Sequence, residues 1–212
     1  METFEEAGLI VEIEQDEVPQ SPREWDNLGV LVAWHPNYEI GDKDSPFYEL
    51  VKNGPRHFEM SDVSRLLKEL DIAVKLPVYL YDHSGLRLNT GGYRAFDPQG
   101  WDSGQVGFIY VTKEAVRAEY SVKRISSELL ERVRLCLEGE VKDMDDFLSG
   151  QVWGYVIRDP KNPTKVFDSC WGFYGDSEGE VLTAGRAAAQ YLAKTLTEFG
   201  RNELAGQEAL AL

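Results

Sequence analysis

Between Leu76 and Thr112 the chain reads LPVYLYDHSGLRLNTGGYRAFDPQGWDSGQVGFIYVT, two strand patterns on either side of a Gly-, Asp- and aromatic-rich excursion. Val74, Leu76, Val78 and Leu80 alternate with Lys75, Pro77, Tyr79 and Tyr81, a period of two that puts the first set on one face of a strand. Pro77 has no N–H to give a ladder, so this strand is expected at an edge, or bulged at the proline. Asp82-His83-Ser84-Gly85 has turn chemistry, and Leu86 and Leu88 begin the return strand of a hairpin. From Gln105 the run QVGFIYV is apolar on both faces, which predicts a central strand covered on both sides. Gly107 within it predicts a close approach by a neighbour.

The flanking chain supplies more strands and helices. Strands are predicted near residues 9–14, 29–35, 151–158 and 165–174, besides 74–81 and 105–111. Ser21-Pro22-Arg23-Glu24 suits a helical turn with Ser as N-cap, and Phe47 to Val51 a short helix. Val63, Leu66, Leu67 and Leu70 recur at helical spacing behind Ser61 as cap. Thr112 caps a helix over KEAVRAEY, and Ser126 or Ser127 caps another that Gly139 is expected to interrupt. The last helix is read from about Glu180 to Phe199, with a small inner face of Gly185, Ala188, Ala189 and Leu192. Hairpin links and late helices, without regular strand–helix alternation, predict an α+β fold with a mainly antiparallel sheet. We read one domain over residues 1–200 and a flexible tail over 201–212.

The chain holds 37 acidic and 22 basic residues in 212, a net charge of −15. That balance argues against attraction to nucleic acid or an anionic membrane, and suits either solubility or a basic protein partner. No apolar run approaches the ~20 residues of a membrane helix, and the acidic start has no signal-peptide character. A reduced, cytoplasmic protein with free Cys136 and Cys170 is expected.

Candidate chemistry gathers around the excursion. Asp26, His35, Asp82, His83, Trp101, Asp102 and Ser103 are the candidate ligand- or partner-binding residues. His35, His57 and His83 lack metal-ligand spacing, so no metal and no cofactor is expected. Cys170 would need a nearby histidine to act as a nucleophile; as a buried small hydrophobe it needs nothing. Cys136 falls on an apolar helix stripe. Trp25-Asp26 and Trp101-Asp102 each precede a buried strand: either they line one groove at a shared sheet end, or the Asp residues bond turn amides beside Trp core plugs. Arg87, Arg94 and Lys113 flank the excursion, where phosphate recognition is possible, yet no phosphate-loop, dinucleotide, nucleophile-elbow or zincin motif is present.

SPREWDNLG (21–29), WDSGQVGFIYVTKE (101–114), VWGYVI (152–157) and DSCWGFYG (168–175) together resemble a family of uncharacterised bacteriophage proteins, over about residues 8–176. The resemblance implies a phage or prophage origin and expression in a bacterial host cytoplasm; it carries no catalytic residues. Three readings follow. One is a protein that binds a basic host or phage protein, such as an anti-defence inhibitor. Another is a small enzyme or nucleotide-ligand binder using a polar groove around residues 82–103. The third is a structural phage component, for which the chain lacks any repeat or coiled coil.

Overall fold

The computed structural model describes residues 2–54, 59–83 and 85–210. His57, and Ser84 of the hairpin turn, lie outside the described residues. In chain order the elements are β1 (Glu2–Glu6), β2 (Leu9–Gln15), a 3-10 turn (Pro22–Glu24), β3 (Val30–Ala33), α1 (Tyr48–Val51), α2 (Met60–Glu69), β4 (Ile72–Asp82), β5 (Leu86–Asn89), β6 (Ser103–Thr112), α3 (Lys113–Glu119), α4 (Ser127–Leu148), β7 (Val152–Asp159), β8 (Asn162–Tyr174) and α5 (Glu180–Leu210). The fold is α+β and every strand pairing is antiparallel. Its strands divide between two four-stranded sheets, β1-β2-β7-β8 and β3-β6-β4-β5. They belong to two compact units, Met1–Gln20 with Gly150–Leu212, and Ser21–Ser149. Among the described residues no helix is long and apolar enough to cross a membrane.

In the first unit β1 and β2 form a hairpin through Ala7 and Gly8, both at positive φ, the geometry that matches strand twist in a two-residue turn. The acidic composition of ETFEE hid β1 from the sequence reading; only Phe4 reaches the core. Leu9, Val11, Ile13, Tyr155 and Ile157 meet Val181 and Ala189 of α5 beneath the sheet. The helix continues past Phe199 to Leu210, through most of the span read as a tail. A Cβ at Gly185 would lie 3.1 Å from Val11 Cγ1 and 3.2 Å from Tyr155 Cβ. Gly185→Leu is therefore expected to overpack this contact and cost about 1–3 kcal/mol, read as a lower unfolding midpoint.

Cys170 is exposed, not the buried hydrophobe expected from its strand. The reason is topological: β8 is an edge strand paired only with β7, and Val166 and Trp171 along it are exposed as well.

In the second unit β6 is central and covered on both faces, as QVGFIYV predicts. Ile109 and Val111 join Val133, Leu137, Val141 and Met144 of α4. Phe108 and Tyr110 face Phe47, Val51 and Val63 from the α1–α2 side, with Phe47 edge-on to Phe108 at 5.5 Å. β4 is internal along Tyr79–Asp82, where β5 pairs with it, but at Pro77 its partner among the described residues is β6 alone, so it is locally an edge there; its register also slips between Val78 and Tyr79, just past the proline. Both expected solutions thus meet near the proline, a flank without a β5 partner and a register irregularity. Helix α2 starts at Met60, with Glu59 rather than Ser61 at its N-cap position. Ser126 caps α4, its Oγ accepting from Leu129 N at 3.2 Å. Gly139 does not interrupt this 22-residue helix; burial of Leu137, Glu140, Val141 and Met144 outweighs a propensity penalty of about 1 kcal/mol.

Candidate functional site

Antiparallel pairing sets which loops meet. Ala33 pairs with Gly107, and Tyr81 with Ser103, so the exit of β3, the exit of β4 and the entry of β6 share one end of the second unit's sheet. His35, Asp82, His83, Trp101, Asp102 and Ser103 all belong to that end. His35 Nε2 lies 3.7 Å from Asp82 Oδ2, and His83 Nδ1 lies 3.0 Å from Asp102 Oδ2. Asp82 N donates to Asp102 O at 2.8 Å, so a backbone hydrogen bond joins the two imidazole–carboxylate pairs. His35 Nδ1 accepts from Asn37 N at 3.2 Å. An accepting Nδ1 places the proton of the neutral ring on Nε2, the nitrogen nearer Asp82.

Asp26 does not join them. It is exposed ahead of β3, while His35 follows that strand; four residues, roughly 13 Å of extended chain, separate the two ends. β3 and β6 run antiparallel, so the two Trp-Asp pairs open onto opposite sheet ends and share no groove. Nor are their tryptophans core plugs: Trp25 is 42% exposed and Trp101 85%.

The organising residue of the excursion is Asp97, which the sequence reading did not single out. Its carboxylate accepts from Trp101 N at 3.1 Å, Asp102 N at 3.0 Å and Ser103 Oγ at 2.9 Å. Desolvation works to raise its pKa, but these hydrogen bonds outweigh it and hold the acid below its usual range. Asp97 thus has the turn-bonding role that was one reading of Asp102, and the Asp102 carboxylate pairs with His83 instead. Gly100 N donates to Asp97 O, and Phe96 N and Asp97 N to Tyr93 O, which closes the loop. Phe96, also missed, is 84% exposed. An isolated Phe in an Asp-Pro-Gln-Gly turn was the available signal.

Tyr93 anchors the inner side of the loop, its ring 5.4 Å from Tyr81. Burial, and then the charge of Asp145, push its pKa up to about 12 against the opposing pull of Arg87, so its hydroxyl stays protonated. Beside Asp97, Tyr79, Tyr93, Arg94 and Ser103 line a concavity of about 320 Å³. Beside His35, an apolar cavity of about 450 Å³ lies among Trp34, Val51, Val63 and Phe108. Arg87 forks onto Asp145, at 3.0 and 2.8 Å, and Lys113 lies at the far end of β6, so of the three flanking cations only Arg94 lines the groove.

Among the described residues no group of three or more His, Cys, Asp or Glu is placed to hold a metal ion. Ser103 Oγ is engaged by Asp97, and Cys136 Sγ lies 3.9 Å from Glu140 on α4. The geometry therefore offers two imidazole–carboxylate pairs and, among the described residues, no activated nucleophile beside them, with two large aromatics held out to solvent. No family model, curated protein or solved structure matches this chain.

Proposed function

We propose that this is a binding protein of phage or prophage origin that engages a basic host or phage protein through the Phe96–Trp101 turn, and that it acts as an anti-defence inhibitor in the host cytoplasm. The observation that carries the reading is the 85% exposure of Trp101 on a turn clamped by Asp97. A tryptophan held in water by a pre-ordered loop loses little entropy on docking, and such residues dominate interface energies. Asp82 and Asp102 flank it, and the net charge of −15 steers a basic partner toward the molecule.

The test is capture from bacterial lysate followed by affinity measurement with the purified partner. Trp101→Ala is expected to weaken binding by about 2 kcal/mol or more, roughly thirtyfold in Kd. Asp102→Ala and His83→Ala are expected to weaken it without moving the unfolding temperature, because Asp97 holds the turn. Affinity should also fall as added salt shortens the Debye length from about 10 Å toward 3 Å. A partner retained in full by Trp101→Ala, or indifferent to salt, would sink the reading.

The concavity beside Asp97 favours a second reading, a small-ligand binder with Arg94 and the Tyr93 hydroxyl as its polar groups. Its volume suits a small molecule. Loss of ligand binding in Arg94→Ala with protein capture intact would select it.

A further inference from the structure

At the opposite end of the same strands, roughly 30 Å along β4 from Asp82, lies a concavity of about 360 Å³. Lys113, Arg117, Lys123 and Arg124 line it over a floor that includes Ile125 and Leu130, and among the described residues no carboxylate lines it. In a chain with 37 acidic and 22 basic residues, a pocket walled only by cations and apolar groups runs against the composition. Lys113 Nζ is held at 2.5 Å by Asp71. Arg117, Lys123 and Arg124 are exposed and have no hydrogen bond or ion pair with another side chain among the described residues.

We propose that this pocket binds a small organic phosphate, with the phosphate held by Arg117, Lys123 and Arg124 and the organic part lying against Ile125 and Leu130. Three like charges around one concavity repel one another until an anion neutralises them, and guanidinium groups match phosphate oxygens two at a time. The pocket volume is that of a small-molecule site.

The loop is also pre-ordered. Helix α3 ends with Ser121 at φ 52, Ser121 N donating to Ala118 O and Val122 N to Arg117 O. That pair of bonds is the Schellman terminus, here built without glycine. Val122 and Ile125 then pack against the core, so Lys123 and Arg124 sit between two anchored residues. Ser126 follows at once as the N-cap of α4, which adds the positive end of a 22-residue helix. A long polyanion would meet the negative field of the rest of the chain; a small ligand meets only the pocket.

The experiment is calorimetric titration of the full chain with ADP, inorganic phosphate and a short oligothymidylate. ADP is expected to bind saturably, and at least tenfold more tightly than inorganic phosphate. Arg117→Gln with Arg124→Gln should weaken ADP at least tenfold while the unfolding temperature without ligand stays unchanged. Lys68→Gln with Lys161→Gln, the same charge change on exposed lysines elsewhere, should leave ADP affinity as it was. Absence of saturable ADP binding overturns the proposal. So does equal weakening in the Lys68/Lys161 control, phosphate binding as tight as ADP, or the oligonucleotide binding more tightly than either.

Discussion

Glu140→Ala is expected to destabilise the Ser21–Ser149 unit by about 3–5 kcal/mol, the range for breaking a buried ion pair from one side. Glu140 Oε2 accepts from Arg23 Nη1 at 3.0 Å, while Oε1 accepts from Leu28 N at 2.8 Å and Gly29 N at 3.0 Å. Arg23 also forks onto Asp42 at 2.8 and 2.7 Å and donates to Gly29 O at 2.7 Å. Burial works to lower the Arg23 pKa, but Asp42 and Glu140 outweigh it and keep the guanidinium charged. Alanine leaves that charge with one partner and two backbone amides with none. Asp42 still neutralises part of the charge, which places the loss toward the lower end. Glu140→Gln keeps the shape and accepts through one oxygen, so it should cost less than alanine. Denaturant unfolding of both variants checks the order; an alanine variant as stable as the parent would show that the network contributes nothing.

Gly107→Ala should have a comparably large effect, at or beyond the upper end of the about 1–3 kcal/mol typical of overpacking. A Cβ there would stand 1.9 Å from Val32 O and 2.7 Å from Ala33 Cα. Both obstacles are backbone, so no rotamer change relieves the clash and β3 must move away from β6. Because β3 leads directly to His35, the same substitution should shift the His35 imidazole NMR signals even where the protein stays folded. A midpoint within experimental error of the parent would mean that β3 is not seated on Gly107 as described.

Three of the four resemblance motifs do different work. SPREWDNLG is architecture: Pro22 starts the turn, Arg23 enters the ion network, and Leu28 and Gly29 offer their amides to Glu140. WDSGQVGFIYV is half display and half core, with Trp101 in solvent and Ile109 and Val111 buried. DSCWGFYG belongs to an exposed edge strand. None of this is visible in the letters, since Trp25-Asp26 and Trp101-Asp102 look alike yet reach opposite sheet ends.

Local physics determined much of the chain. Alternation marked β2 and β4, runs apolar on both faces marked β6 and β7, and a Thr or Ser at each start set the caps of α3 and α4, because these signals need only neighbours a few residues away. The concentration of polar groups between residues 82 and 103 was legible for the same reason. What tertiary structure alone decided is partnership over long separations. Glu140, Asp145 and Asp146 are charged residues of α4, yet they are buried, and Asp145 and Glu140 hold amides and arginines from segments distant in sequence. His35 approaches Asp82 rather than Asp26 because antiparallel pairing, not sequence proximity, brings strand ends together. A carboxylate's role depends on whether a donor faces it after the chain has folded, and no local pattern carries that information.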